Sequence, residues 1–376
     1  MGSCLLWLHF TIQCDERPNS CGACIKRRTR CSFKSPTPSA LSPAPSLLDL
    51  ELLHNFSTKT RLSMTTYAPL QEFYSTDFIS KALKTDYVLH SLLSISAYHL
   101  AQQYQETLRI ADEQPRLTDC SNIKGYLVAA HRHHKAGLNI FKQTLTNITS
   151  ENCHALFACS ALIAMTTFAR SCDSLRLTNE SLLISEADQE SEITVIELLL
   201  QVRCIKTVLV EAQQWIQVGP MSPMLHIRGT ERYEKTIGRV DEKIAVYLDS
   251  LSATVMQYSD SSVSDVCVTA IKLLRKSFAG MAYRCEPSVV FFWLVLVPSE
   301  FMTLLELNMP EALTVFASFC VLLHSLDGRW LFKGWSLNML RIIERKLDKK
   351  WRRWLWLPSQ IIRKEGSREL NGPSLT

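Results

Sequence analysis

Cys14, Cys21, Cys24 and Cys31 fall within eighteen residues, spaced C-x6-C-x2-C-x6-C. A Cys-x2-Cys pair places two thiolates at the open end of one tight turn. A further Cys seven residues on returns to the same point after a short helix. Tetrahedral zinc requires that convergence and takes thiolate readily. Lys26, Arg27, Arg28 and Arg30 lie between Cys24 and Cys31. With Arg17 and Lys34, the segment 14–34 carries six basic residues against Asp15 and Glu16. A compact cationic zinc knot is a usual form of phosphate-binding module, so double-stranded DNA is the partner these residues suggest. Two other readings stay open: free cysteines in a basic, unstructured tail, or a disulfide pair. A disulfide needs an oxidising compartment. The apolar run from Cys4 to Ile12 has neither a basic start nor a small-residue cleavage site, so it does not read as a secretory signal.

The wording C-D-E-R-P-x-x-C at Cys14–Cys21, followed by C-x2-C-x6-C, resembles the fungal-type six-cysteine binuclear zinc cluster of transcription regulators. The resemblance aligns Cys14, Cys21, Cys24 and Cys31 with the third to sixth cysteines and Pro18 with the loop proline. Counting back, Cys4 stands where the first is expected, but position 7 is Trp7. The family's basic run before the third cysteine is replaced by Leu8 to Gln13. The resemblance therefore implies one full ligand set, Cys4, Cys21, Cys24 and Cys31. It implies a second set, Cys4, Cys14 and Cys21, that is one ligand short. It assigns Lys26, Arg27, Arg28 and Arg30 to phosphate contacts and leaves Gln13 where the base-reading lysine belongs. Residues 1–13 read equally as a genuine start or as a replacement for the first half of the cluster.

The rest of the chain must carry and position this segment. Residues 32–46 hold four prolines and five serines, a composition that does not pack and reads as a linker. No heptad run follows it, so no coiled-coil dimeriser is visible. Beyond Leu47, apolar residues recur at three- and four-residue steps, and period-two stretches are nearly absent, which predicts an all-α domain. Expected helices cover 77–103 as a pair, 126–145, 154–169, 195–218, 244–258, 263–283, 299–308, 311–326 and 335–347. The segment 154–169, apolar nearly all round, belongs in a core. Thr149 or Ser150 with Glu151–Asn152 reads as its N-terminal cap. Residues 106–122 and 171–192 read as loops. No stretch reaches 18 clean apolar residues; Val289–Val297 ends at Pro298, so no membrane span is expected and the chain reads as soluble. With 376 residues, 47% of them apolar, a large core is affordable, and a net charge of +5 makes any basic surface local.

The resemblance continues through N-I-T-S-E-N-C-H-A-L-F-A at 147–158, W-I-Q-V-G-P-M-S-P-M-L at 215–225, the run 310–327 and the C-terminal 334–358. These are similar to the helical regulatory domain of the same regulators, nearest the sterol uptake control branch. That implies a small apolar ligand in the helical domain and control of sterol-related or biosynthetic genes, with a homodimer as a candidate state.

Other residues could do chemistry. His131, Arg132, His133, His134 and Lys135 lie on one predicted helix, where a solvated basic face is expected over a shared metal. Trp351, Trp354 and Trp356 stand among Lys349, Lys350, Arg352 and Arg353; tryptophans docked on the core with the basic groups reaching outward are expected over a nucleic-acid patch. Scattered cysteines read as reduced, buried thiols. Neither a nucleophile elbow nor a phosphate loop nor H-E-x-x-H occurs, so no enzyme is expected. The reading is a zinc cluster at 1–34, a linker at 35–46, a helical regulatory domain at 47–360 and a disordered tail at 361–376. It describes a nuclear, zinc-dependent DNA-binding regulator. The alternative is an interaction protein with a degenerate cluster that binds an apolar ligand or a partner without reading DNA.

Overall fold

The computed structural model describes residue 26 and residues 46–111, 117–178, 201, 203–225, 240–283 and 287–366. Two compact units divide it, Met1–Glu51 and Leu52–Thr376. In the first, Lys26 is helical and exposed. Helix α1, Leu47–Asn55, begins at a reciprocal cap: Ser46 Oγ accepts from Asp49 N at 3.1 Å, and Asp49 Oδ2 accepts from Ser46 N at 3.3 Å.

In the second unit the chain leaves α1 through a π-helical turn, Phe56–Thr60, and a short turn of helix, Arg61–Met64. Helices α2, Ala68–Ser75, and α3, Asp77–Ala82, then close an aromatic cluster. Phe78 lies 6.1 Å from Phe56, 5.9 Å from Phe73 and 5.2 Å from Tyr74, between ring centroids. Helices α4, Asp86–Ala111, α5, Leu117–Thr144, and α6, Cys153–Thr178, form a packed three-helix layer. Small residues let α4 and α5 approach closely. A Cβ at Gly137 would sit 3.1 Å from both Ser91 Oγ and Tyr87 O. The loop expected at 106–122 is largely helix. Gln102, Gln103, Gln105 and Glu106 are good helix formers, so α4 continues where its apolar pattern fades. Thr149 and Asn152 cap each other, with N–H to side-chain oxygen distances of 2.8 and 3.3 Å, and α6 starts at the next residue as expected. Over Cys153–Arg170, α6 is long and apolar enough by length and composition to cross a membrane, but the window includes His154 and Arg170 and 72% of it is buried inside the protein, as expected of a core helix.

Helix α7, residues 203–218, stops at Gly219–Pro220. Helix α8, Glu242–Tyr258, is capped by Asp241, whose carboxylate accepts from Lys243 N and Ile244 N. Helices α9, Ser261–Tyr283, α10, Pro287–Leu296, α11, Ser299–Glu306, and α12, Pro310–His324, follow. Each proline stands at a helix start, where its missing N–H costs nothing. The axes of α11 and α12 differ by 106°, and the turn passes through Asn308 at φ 54°. Thirteen consecutive residues of α12, Glu311–Leu323, are buried. Helix α13, Trp335–Lys346, starts after Gly334 at φ 77°, whose N–H donates to Asp327 Oδ1 at 2.8 Å. Short turns at Lys349–Arg352 and Arg353–Leu355 lead to α14, Trp356–Gly366, which runs past position 360. No strand occurs among the described residues.

Candidate functional site

Cys4, Cys14, Cys21, Cys24, Cys31, Arg27, Arg28 and Arg30 lie outside the described residues; Lys26 alone is placed, exposed on a helical turn. Among the described residues no group of three or more His, Cys, Asp or Glu side chains could hold a metal ion. Cys153, Cys159, Cys267 and Cys320 are buried free thiols, while Cys120 is exposed. Burial pushes Cys159 and Cys267 up to about 12, which suppresses the thiolate needed for reaction or ligation.

The H-R-H-H-K stretch on α5 is not simply a solvated face. His133 is buried, and its Nδ1 lies 2.9 Å from Nδ1 of His90 on α4. An imidazole there turns inward because position 133 falls on the α4-facing stripe with Tyr126, Ala130 and Phe141. Exposed His131 meets the Tyr98 hydroxyl at 3.3 Å. His134 is pushed down to about 4 by burial first, then by Arg170, His131 and Lys142.

A second polar seam went unseen in the sequence. Asn55 Nδ2 donates to Thr60 Oγ1 and to Ser96 Oγ, each at 3.0 Å. Thr60 Oγ1 lies 2.9 Å from His99 Nδ1, and Gln103 Nε2 lies 3.1 Å from His99 Nε2. The His99 ring stacks on Trp330 at 4.7 Å, and Trp330 Nε1 donates to Ser63 Oγ at 2.9 Å. Burial, followed by Lys59, lowers His99 to about 4. The only sequence signal was an S-x2-S-x-S-x2-H run on one helix.

The C-terminal tryptophans divide. Trp351 docks in the core, Trp354 is half-buried and Trp356 is 50% exposed. Trp354 and Trp356 each cross Tyr247 with ring centroids 5.8 Å apart, lining a cleft of about 730 Å³ that also carries Asp241, Glu242 and Lys243. Trp354 Nε1 is buried there without a hydrogen-bond partner among the described residues. A separate cleft of about 690 Å³ lies between α13 and α14, lined chiefly by arginines.

Two of the stretches singled out by resemblance meet in space. Gly219, which ends α7, lies so close to His154 at the start of α6 that a Cβ would overlap its imidazole. His154 is lowered from its usual range by burial, then by Lys81.

Residues 51–179 match a family described as "Fungal specific transcription factor domain". This is the part of the chain that builds α1 through α6. The chain is also similar to a protein of Gibberella zeae described as "Zn(2)-C6 fungal-type transcription factor", at 22% identity over 343 residues. That alignment covers 85% of this chain and 63% of the relative, so the chain spans less than two thirds of its length. These matches support a transcription regulator of fungal type.

Proposed function

We propose that this protein is a zinc-dependent, DNA-binding regulator of RNA polymerase II genes, acting in the nucleus. The observation that carries the reading is the pairing of a basic C-x6-C-x2-C-x6-C segment with a helical region matching a fungal transcription factor domain. Four thiolates are a donor set that zinc favours, and Cys14, Cys21, Cys24 and Cys31 would hold it, with Cys4 as the fifth ligand. Bound zinc would fold the segment and fix its cationic side chains. Lys26, Arg27, Arg28 and Arg30 would then contact phosphates, with no catalytic residue in the scheme. The regulated genes would be sterol-related or belong to a biosynthetic cluster, and an apolar ligand or a second copy would act through the helical domain. Trp7 and the missing basic run at residues 8–13 favour a second reading, in which the cluster is degenerate and the helical domain binds its partner without reading DNA.

One experiment separates them. The full chain is weighed under native spray in reducing buffer, then titrated with duplex DNA at several salt concentrations. Bound zinc and a log–log salt slope of about −3.6, for about four phosphate contacts, support DNA binding. A slope near zero overturns the phosphate role of the four basic residues and leaves the degenerate reading.

A further inference from the structure

Between Arg341 and Arg353 the sequence holds seven basic and two acidic residues. The fold sorts them. Lys350 Nζ sits 3.9 Å from the Tyr258 ring centroid, and Lys346 Nζ donates to Asn308 Oδ1 at 2.9 Å. Arg341, Arg345 and Arg352 instead turn to the cleft between α13 and α14, where Arg363 joins them. Glu344 is the one acidic residue in that lining, so the formal charge is four minus one, or +3. Glu344 is itself paired with Arg363 at 2.6 Å. Arg341 and Arg352 have no carboxylate partner among the described residues; Arg352 donates only to Leu347 O, at 3.0 Å. Half-buried Leu337 supplies apolar surface in the same recess, and Ile362 lies buried beneath it.

We propose that this cleft is a docking site for an acidic peptide segment of a partner protein. Guanidinium groups present planar forks that match carboxylates, and arginine is enriched at binding hot spots. Converging cations repel one another, so an anionic occupant relieves what the cleft otherwise stores. The shape decides which anion. Leu337, Arg341 and Arg345 are four residues apart along one face of α13, a stripe about 12 Å long at 1.5 Å per residue. One phosphate cannot span it, whereas about four residues of extended peptide do. An apolar residue in that peptide would meet Leu337, which a bare phosphate would leave unused. The site does not depend on whether the N-terminal segment binds DNA.

The test uses the full chain and a fluorescein-labelled peptide alternating Asp or Glu with Leu, followed by anisotropy. Saturable binding is expected, lost when Asn and Gln replace the acids. Arg341→Glu with Arg345→Glu should weaken it tenfold or more, the scale of one lost charge-assisted contact. Arg352→Gln should weaken it less, and these exposed variants should melt with the wild type. Replacing Lys26, Arg27, Arg28 and Arg30 by Gln should leave peptide affinity unchanged. Undiminished binding by the Arg341/Arg345 variant overturns the proposal. Displacement of the peptide by millimolar inorganic phosphate overturns it in favour of a small-anion site. Duplex affinity that falls in parallel with peptide affinity overturns it in favour of nucleic acid.

Discussion

Around His99 the N-terminal helices α1 to α6, the front layer, bury Asn55, Thr60, Ser91, Ser94 and Ser96, each joined to a neighbour by hydrogen bonds. Around Trp293 the C-terminal helices α8 to α14, the rear layer, bury rings. Trp293 stacks on Phe319 at 4.6 Å, Phe319 on Phe316 at 5.4 Å, and Phe301 meets the indole edge-on at 5.7 Å. The front layer is specified by directional bonds that only one register satisfies. The rear layer is specified by volume and shape. Phe168 on α6 ties the two together, 4.8 Å from Trp335 and 5.1 Å from Phe332. The matched family region is the polar-seamed front layer. The surface proposed to bind a partner belongs to the rear layer, on the outward side of α13.

The contrast is broken most severely at Trp293. It is fully buried and donates Nε1–H to Ala270 O at 3.0 Å. Trp293→Ala should cost about 3–5 kcal/mol through cavity formation, read as a shift of the urea midpoint. Trp293→Phe keeps a ring in the stack and loses the bond to Ala270, and should cost about 1–2 kcal/mol. Equal losses in the two variants would contradict a rear core held by shape.

The front layer should instead respond to pH. His99 has an ordinary value of 6.5 and is lowered to about 4 in the fold. Unfolded His99 takes up a proton as pH falls through 6.5, whereas the folded chain resists until about 4. The unfolded state therefore binds more protons in that window, and stability drops as pH falls through it. The loss from this residue is at most about 3 kcal/mol, with full stability above 6.5. His99→Gln should lessen the dependence of melting temperature on pH between 6.5 and 4, with His134, also lowered to about 4, supplying part of what remains. An unchanged slope would remove His99 from the account.

The two layers also differed in how much could be read beforehand. Helices whose apolar residues keep one stripe, such as α8 and α9, were legible to within a few residues, and so was the Thr149–Asn152 cap. The extension of α4 was not, because Gln and Glu carry helix propensity without hydrophobic pattern. The His99 seam joins α1, the π-helical turn and α4 to Trp330, and a linear pattern cannot report a pairing of residues over two hundred positions apart. The inward turn of His133 follows helical phase, yet three imidazoles in a row disguise which one faces the core. In the C-terminal run the charge count was plain, but sorting it needed the fold, since Trp354 and Arg352 are two residues apart and line different clefts. The cysteine segment is the reverse case. Its chemistry is explicit in spacing, while its residues other than Lys26 are outside those described.

The junction of α6 and α7 offers a sharper test of close packing. Gly219→Ala places a methyl group against His154, and overpacking of this kind costs about 1–3 kcal/mol. His154→Ala in the same chain should recover part of that loss, because the obstructing ring is gone while Trp215 O still stands 2.9 Å from the added methyl. A double variant no more stable than Gly219→Ala alone would show that backbone geometry, and not the imidazole, sets the requirement for glycine.

The smallest effect on folding is expected at Arg363. Its pair with Glu344 is solvent-exposed, with side chains 47% and 36% accessible, and such pairs contribute about 0–1 kcal/mol. Arg363→Ala should therefore leave the urea midpoint almost unchanged and remain insensitive to added salt. Its effect on the acidic peptide has two parts that act in the same direction. Removing the guanidinium takes one cation from the cleft and also releases Glu344, whose charge then faces the incoming carboxylates. Both changes weaken binding, so affinity should fall several-fold while stability holds. Glu344→Gln separates them: it keeps all four arginines, removes the repelling charge, and should tighten the peptide. Weakened binding in Glu344→Gln would mean that the ion pair holds Arg363 in place, and that the cleft is ordered before its partner arrives.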